Sequence, residues 1–512
     1  MNHPYHAHAP VEKAILSLRS RGAHLWVQDG VLRYRAPRGL VTDNDVAILR
    51  SADGALLSHL LEEAGPIRFE PRVLPRVHPT RAPLAFSQLA HWRVRAAMGN
   101  RPIRQVASAT KVRGRLDVVA LEEALSALMD RHEALRTQIL NVDGEPVQEL
   151  KTHNPAPLEV VDLSEAPTHE RSRIIQQQIA RTIKDLSDYA LDPLFRLIFL
   201  RLGANESVVV IATDHTISDG ASLCILLDDL LTMHEELNNG HSISLPPVRM
   251  QLSDYALWQR TELAGVLQSH AHDYEGWART RFPGAPSIDG RPGWGTVSFV
   301  FESRLKNALT DWARNRGTSQ VMAALTAYVA LVLRWCDVSE TLIQVMSDGR
   351  LSKELENTVG YVAFPYYVYI SIGSRATFME LMQTIQTAYC RACEQPDFYY
   401  SYIRTPRPEF TASTYFNWLP RRASAEARSE VGRHRLFECT SVSYENPLFE
   451  TLDLDVEPGV LLKETDTEIV GRVGFPLKKF SIRYMSQFAA RYKNVLQLLI
   501  REPVSRVFDA RV

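Results

Sequence analysis

An apolar run that leads into a histidine constrains this chain more than any other feature. Residues 207–212 include four β-branched residues in a row and no charge, which is typical of a buried β-strand. A polar loop containing His215, Asp219 and Gly220 follows, and apolar residues at helical spacing begin near Ser222. The sequence therefore predicts a strand, a loop and a helix, with His215 held rigidly where the strand ends.

The chemistry of this loop depends on His215. An imidazole ionises close to neutral pH, so it can accept or donate a proton during a reaction. A single histidine at the end of a core strand is more often structural than catalytic, so its role has to be inferred from the motifs around it. Four further motifs flank it, P-L-A-F-S-Q-L-A-H-W at 83–92, R-H-E-A-L-R-T at 131–137, S-D-Y-A-L-W at 253–258 and V-G-Y-V at 359–362.

In this order, the motifs resemble those of the condensation domains of nonribosomal peptide synthetases, over about residues 81–510. The R-H-E-A-L-R-T motif is the most specific to that family. The resemblance implies an α/β fold with two related chloramphenicol-acetyltransferase-like lobes in a V and the active site between them. We place the first lobe at 83–260 and the second at 261–512.

The resemblance also implies a reaction. Condensation domains transfer an acyl group from a carrier-protein thioester, held on a phosphopantetheine arm, to a nucleophile. His215 aligns with their catalytic histidine, acting as a general base or stabilising the developing charge. Asp219 matches a carboxylate that pairs with an arginine of the second lobe, for which Arg350 is the candidate. Gly220, having no Cβ, would let the thioester arm approach the backbone closely. No cofactor or metal is expected to be bound.

Three departures from the family pattern stand near this site. Asp214 replaces a usual histidine, and its side chain should point away from the His215 ring because successive strand residues face opposite sides. Ala221 replaces a common tryptophan, which would widen the site. Residues 363–365 read Ala-Phe-Pro where Val-Asn-Thr is frequent, and this puts the preference for donor or acceptor in question.

The first 64 residues form a unit of their own. Asp-Gly at 29–30 between two alternating runs predicts a β-hairpin in which Trp26 and Arg33 share a face with Arg35. The unit resembles the small α/β-hairpin docking domains that capture a short, often acidic, tail of an upstream partner. Trp26, Arg33, Arg35 and Arg38 are the docking candidates, with a merely solvated basic face as the alternative. The proline-rich residues 65–82 predict an extended linker.

Composition limits the possible partners and compartment. A net charge of -1 argues against nucleic acid or an anionic membrane as a partner. No apolar run is long enough to span a bilayer and no signal sequence is evident, so a cytoplasmic protein is expected. Cys390 and Cys393 form a C-x-x-C, but the surrounding pattern is that of an amphipathic helix, which favours two small helix residues over a zinc or redox pair.

Several alternatives remain open. No adenylation or carrier segment follows in the sequence, so we expect an acyl or peptidyl carrier protein to deliver the donor in trans, as suits a standalone chain-releasing enzyme. The acceptor could be an amine or a hydroxyl, carrier-bound or free. A CoA-dependent acyltransferase shares H-x-x-x-D-G but would carry D-F-G-W-G, which is absent from the sequence. A catalytically silent recruitment domain typically loses the histidine or Asp-Gly, and both are present here.

Overall fold

The computed structural model describes residues 11, 24–28, 31–35, 48–49, 71–76, 78–97, 105–151, 158–186, 194–263, 280–285, 293–394, 414–419, 438–441, 456–465 and 467–509. The helices are α1 (Phe86–Ala97), α2 (Val118–Arg131), α3 (Thr168–Asp185), α4 (Gly220–Asn238), α5 (Leu252–Trp258), α6 (Ser303–Asn315), α7 (Gln320–Cys336), α8 (Phe378–Glu394) and α9 (Ile482–Arg501). A 3-10 turn covers Glu133–Arg136, and a π-helical turn covers Gln259–Leu263.

Strands and helices alternate through most of the chain. The strands are β1 (His24–Gln28), β2 (Val31–Arg35), β3 (Arg81–Pro83), β4 (Gln105–Arg113), β5 (Thr137–Val142), β6 (Glu145–Leu150), β7 (Glu159–Asp162), β8 (Phe195–Gly203), β9 (Glu206–Asp214), β10 (Trp294–Phe301), β11 (Glu340–Ser347), β12 (Phe364–Ser371), β13 (Thr414–Leu419), β14 (Glu438–Ser441), β15 (Gly459–Glu464) and β16 (Ile469–Pro476). The α/β class predicted from the sequence is confirmed.

The first large sheet has the strand order β14-β4-β9-β8-β7 within the described residues. Its β9 strand is buried on both faces, as its uninterrupted apolar run predicts. Val209 and Ile211 belong to the main core with α2 and α4, while Val208 and Val210 pack beneath α3 in a second core. A strand that is covered on both sides is a rigid support, and β9 carries its last residue, Asp214, to the edge of the site.

The second large sheet has the order β10-β16-β15-β13-β11-β12, with β13 parallel to both of its neighbours. The apolar helices α7 and α9 pack against one face of it, where Tyr328 and Tyr492 are completely buried. Tyr492 donates a hydrogen bond to the backbone oxygen of Ala324 at 2.9 Å, which ties α9 to α7.

The strand β14 joins the two halves of the chain. It comes from the C-terminal half in sequence, yet it pairs antiparallel with β4, with Glu438 opposite Arg113 and Ser441 opposite Thr110. The predicted lobe boundary near residue 260 therefore does not separate the two sheets completely. The sequence could not predict this pairing, because the residue pattern of a strand does not indicate which strand it pairs with.

Ion pairs made by arginines of the described linker anchor it to the rest of the chain. Arg76 contacts Glu133 at 2.8 Å, and its Nε lies 2.8 Å from Asp254. Downstream, β3 pairs with β6 in a small sheet of order β3-β6-β5, so regular structure begins at Arg81, two residues before the predicted boundary. The described part of the linker is thus held against the lobe.

The N-terminal hairpin has the predicted register. Strands β1 and β2 are antiparallel, with Leu25 opposite Tyr34, Val27 opposite Leu32 and Trp26 opposite Arg33. Most of the first 64 residues, apart from the hairpin strands, lie outside the described residues. The register confirms the pairing, whereas the docking role stays a prediction.

Within the described residues, no single helix is long and apolar enough to cross a membrane. The consecutive helices α6 and α7 pass the same test only as a pair, and they are bent by 106° relative to each other.

Candidate active site

The turn between β9 and α4 presents His215. The strand ends at Asp214, whose carboxylate accepts hydrogen bonds from the backbone nitrogen and the hydroxyl of Thr216, at 2.8 and 2.6 Å. Helix α4 begins at Gly220, two residues before the predicted start. The bonds from Thr216 fix the first residues of the turn, so the half-buried His215 side chain projects from a defined backbone.

The orientation of the His215 ring follows from one hydrogen bond. Its Nδ1 lies 2.8 Å from the backbone oxygen of Ser218. A carbonyl oxygen can only accept, so Nδ1 carries the proton of the neutral ring and the lone pair lies on Nε2. Tyr361 from the second lobe packs against the ring, with centroids 4.0 Å apart and planes inclined by 33°. In this tautomer, Nε2 can accept a proton from an attacking nucleophile.

Asp219 and Arg350 form a buried bidentate ion pair between the lobes. The two guanidinium nitrogens lie 3.0 Å from the two carboxylate oxygens. Only 2% of the Asp219 side chain and 4% of the Arg350 side chain is exposed. The structure thus brings together two residues that are 131 positions apart in the chain.

Asp219 has further hydrogen-bond donors from both lobes. It caps helix α4 by accepting from the backbone nitrogen of Ser222 at 2.8 Å. From the second lobe, the backbone nitrogens of Val362 and Ala363 donate to it at 3.2 and 3.0 Å. Burial alone would raise the pKa of Asp219, but the charge of Arg350 and the hydrogen bonds from Arg350 and Ser222 hold it below its usual value. The carboxylate therefore stays ionised and joins the turn to the second lobe.

Arg350 is itself positioned by its own loop. Its guanidinium donates to the backbone oxygen of Thr358 at 2.8 Å and to that of Asp348 at 2.7 Å. The preceding Gly349 has a φ of +71°, and a Cβ there would overlap the backbone of Val362. A residue with a Cβ would be strained by this φ and would clash with Val362, so the position requires glycine. The glycine allows the loop to bring Arg350 close to the 359–362 segment.

Gly220 occupies the first, exposed position of α4. A Cβ built there would lie 3.9 Å from Cδ2 of Leu419, an ordinary contact. The described surroundings therefore do not require a glycine for packing. Its predicted purpose, which is to let a thioester arm approach, stays a prediction.

A buried polar cluster behind the turn was not predicted. Asp214 is fully buried, and its Oδ2 lies 3.4 Å from both Arg95 and Gln105. His91 of α1 lies with its Nε2 3.9 Å from Asp214, and its ring centroid is 5.8 Å from that of His215. His91 and Arg95 are four residues apart in the sequence, so a helix places them on the same face. This spacing is a sequence pattern that could have indicated the cluster. Asp214 thus has a structural role of its own as the counterion of Arg95.

The R-H-E-A-L-R-T motif is structural in the folded chain. Arg131 and His132 both contact the Asp229 carboxylate of α4 at 2.9 Å. Glu133 pairs with Arg76 of the linker and accepts a hydrogen bond from Ser253 at 2.8 Å. The motif therefore holds α2, α4, α5 and the linker together.

The remaining predicted residues belong to other elements. Trp26 and Arg33 face each other across the hairpin, and Arg35 pairs with His24. Arg38 lies outside the described residues. Cys390 and Cys393 lie on α8. Within the described residues, no group of three or more histidine, cysteine, aspartate or glutamate side chains is placed to hold a metal ion.

Comparison with known sequences identifies the family. A model of the Condensation domain family matches residues 79–510. A linear gramicidin synthase protein of Brevibacillus parabrevis is 28% identical over 326 residues, which is 62% of this chain and 6% of the synthase protein. Phosphinothricin tripeptide synthetase PhsC of Streptomyces viridochromogenes is 28% identical over 326 residues, 62% of this chain and 30% of that protein. The chain spans only a small part of these relatives.

Solved structures share the fold. The X-domain from teicoplanin biosynthesis superposes with a TM-score of 0.69 at 20% identity, covering 86% of this chain and 100% of that one. A structure described as the molecular basis for condensation domain-mediated chain release from the enacyloxin polyketide synthase has a TM-score of 0.68 at 18% identity, covering 100% of both chains. The chain therefore belongs to the condensation domain family, the acyltransferases that form peptide and ester bonds in nonribosomal peptide synthesis.

Proposed function

We propose that this chain transfers an acyl group from a phosphopantetheine thioester on a carrier protein to the amine or hydroxyl of an acceptor. The observation that carries the proposal is the His215 ring, with Nδ1 donating to Ser218 and Nε2 able to accept a proton. It stands at the junction of the two lobes, next to Tyr361. Family membership supports a reaction that forms an amide or an ester.

The proposed reaction balances without an added reagent. The nucleophile attacks the thioester carbonyl carbon while its proton passes to Nε2 of His215. The tetrahedral intermediate then collapses, the C–S bond breaks, and the imidazolium returns the proton to the leaving thiolate. An amide or ester and a free phosphopantetheine thiol result. A hydroxyl nucleophile depends on this proton transfer more than a free amine does, because a neutral alcohol is a weak nucleophile, whereas a neutral amine can attack before it loses its proton.

We further propose that the transfer releases the chain from its carrier. Support comes from the enacyloxin chain-release structure, which matches this chain over its full length, including the N-terminal region. That likeness is one of fold, so release has to be measured. The donor is proposed to arrive on an acyl or peptidyl carrier protein that binds the N-terminal unit.

Intact-protein mass spectrometry of an acyl-loaded carrier tests the proposal. The carrier should lose the acyl mass only when both the enzyme and an acceptor are present, and the amide or ester should appear in solution. A parallel reaction supplies the same acyl group as its CoA thioester. Faster turnover of acyl-CoA than of acyl carrier would favour a CoA-dependent acyltransferase. No turnover of either donor across amine and alcohol acceptors would favour a recruitment domain.

A further inference from the structure

The ring of Tyr361 covers one face of the His215 imidazole. The two ring centroids are 4.0 Å apart and the planes are inclined by 33°. Aromatic rings in proteins usually approach to about 4.5–7 Å between centroids, so rings this close are in contact through their faces. Both side chains are half-buried. The tyrosine ring therefore shields one face of the imidazole from solvent and limits how far the imidazole can turn.

The backbone on both sides of Tyr361 is held by the first lobe. The Oγ of Ser222 lies 3.0 Å from both the backbone nitrogen and the backbone oxygen of Gly360. The backbone nitrogen of Val362 donates to the Asp219 carboxylate at 3.2 Å. That nitrogen also lies 2.9 Å from the backbone oxygen of Gly360, which closes a γ-turn with Tyr361 at its centre. The tyrosine ring thus projects from a backbone that the first lobe keeps in place.

The imidazole needs support beyond its hydrogen bond. The bond from Nδ1 to the backbone oxygen of Ser218 fixes one atom of the ring, whereas the terminal torsion of a histidine has broad preferences. A catalytic group keeps its orientation when neighbouring side chains pack against it. Tyr361 packs in this way, and His91 completes a group of three rings, with its centroid 5.8 Å from that of His215 and 6.2 Å from that of Tyr361.

We propose that Tyr361 is a positioning residue, whose ring keeps the His215 imidazole in the orientation in which Nδ1 donates to Ser218 and Nε2 is presented to the nucleophile. This role rests on the proposed function and deepens it, because the base contributed by one lobe then depends on a ring contributed by the other. Tyr361 transfers no proton itself. The nucleophile reaches Nε2 in the plane of the imidazole or from the face opposite Tyr361.

Two substitutions separate the ring from its hydroxyl. Tyr361→Leu removes the aromatic ring and should lower kcat about tenfold or more, because a small displacement of a catalytic group is costly. KM should stay within about twofold, since the lost contact is with the imidazole. Tyr361→Phe keeps the ring and should retain most of kcat. A loss with phenylalanine as large as that with leucine, or a rise in KM at unchanged kcat, would overturn the proposal.

Nitrogen NMR on isotope-labelled histidine measures the ring orientation without turnover. The chemical shifts of the two ring nitrogens report which of them carries the proton, and His215→Ala identifies the His215 signals by difference. At about pH 8, where an ordinary histidine is neutral, the wild type and Tyr361→Phe should show a protonated Nδ1 and an unprotonated Nε2. Tyr361→Leu should show exchange between the two tautomers. An unprotonated Nδ1 in the wild type would overturn the proposal.

The NMR result also separates the role of Tyr361 from the proposed function. A tautomer change confined to Tyr361→Leu supports ring positioning even if no donor reacts. An unchanged tautomer in Tyr361→Leu rules out ring positioning even if kcat falls. Tyr484→Leu is the matched control, because it removes another half-buried tyrosine of the second lobe, whose ring packs on Trp335 with centroids 5.1 Å apart. This control should match the wild type in both measurements, and urea midpoints check that every variant is folded.

Discussion

At the scale of single residues, Asp219 has three tasks at once. It caps helix α4 through Ser222, it pairs with Arg350, and it accepts backbone hydrogen bonds from Val362 and Ala363. One carboxylate thereby fixes the start of the helix, the orientation of the turn that carries His215 and the contact with the second lobe. Any change at this position acts on His215 through geometry rather than through direct contact with a substrate.

Replacing Asp219 is expected to destabilise the fold. In Asp219→Ala the Arg350 guanidinium stays buried without its counterion, which costs about 3–5 kcal/mol. Urea unfolding measures this loss. In the double variant with Arg350→Met no buried charge is left unmatched, so its loss should be smaller than the sum of the single losses. Strictly additive losses would show that the pair is not coupled.

Replacing His215 is expected to affect chemistry instead. His215→Ala should lower kcat by about 10² or more, the usual contribution of a general base, while the urea midpoint stays close to that of the wild type. The His215 side chain is only half-buried, and its Nδ1 hydrogen bond is to one carbonyl in the turn. Carrier turnover at nearly the normal rate by the alanine variant would rule out the general-base role.

The sequence predicts local arrangements well and distant pairings poorly. His215, Asp219 and Gly220 lie within one motif, so their spacing identified them, and Arg350 followed from the family resemblance. The contact between Arg95 and Asp214 joins residues 119 positions apart, and no local pattern encodes it. In the sequence, His91 stands out only as one residue of the 83–92 motif. Its proximity to His215 could not be predicted, because the two residues belong to different elements.

At the scale of elements, two histidines join helix α4 to helix α2. His234 of α4 accepts a hydrogen bond from the backbone nitrogen of Asp117, the N-cap of α2, at 3.0 Å. His132, the C-cap of α2, has its Nε2 2.9 Å from the Asp229 carboxylate. Burial lowers the pKa of both histidines, against the opposing effect of Asp229 on His132. The helix that begins at the His215 turn is thus fixed to α2 by two imidazoles whose pKa burial lowers.

Stability should therefore fall as the solution is acidified. In the unfolded chain a histidine takes up its proton near pH 6.5, whereas in the folded chain these two do so at lower pH. The two histidines stabilise the fold in full above about pH 6.5. This stabilisation is lost as the pH falls from there through their lowered pKa values in the folded chain. For each histidine, every pKa unit by which folding lowers the pKa corresponds to about 1.4 kcal/mol in the free energy of unfolding.

Urea titrations at several pH values between about 5 and 8 check this dependence. His234→Gln offers the backbone of Asp117 a neutral acceptor that cannot titrate, so the variant should show a shallower slope below about pH 6.5. An unchanged slope would assign the acid sensitivity to other groups. His169, which is exposed on α3, provides a matched control as His169→Gln and should leave the slope as in the wild type.

At the scale of the whole molecule, the hairpin and the catalytic lobes are separate units in sequence. Deleting residues 1–64 should impair transfer from the cognate carrier protein and spare transfer from a small thioester surrogate, because His215 and its partners all lie beyond the linker. The described linker begins at residue 71 and is held by Arg76, so the deletion leaves that anchor in place. Carrier and surrogate kinetics measured side by side make the comparison.

Charge reversal refines this test. Arg33→Glu with Arg35→Glu should reproduce the deletion if the hairpin binds an acidic segment, and added salt should weaken the wild type in the same direction. A matched reversal of Arg314, which is exposed and pairs with Asp311 on α6, should have no effect on carrier transfer. Equal losses with carrier and surrogate would mean that the N-terminal unit supports the fold instead of recruiting a partner.

Strand β14, which pairs with β4 from the other half of the chain, also determines when the first large sheet can be completed during synthesis. The N-terminal lobe leaves the ribosome first, but the edge of β4 that pairs with β14 stays uncovered until the chain has been made past residue 441. An unpaired strand edge is a template for association with other chains. Truncations that end between residues 260 and 437 should therefore aggregate during expression, whereas longer chains that include β14 can close this edge themselves.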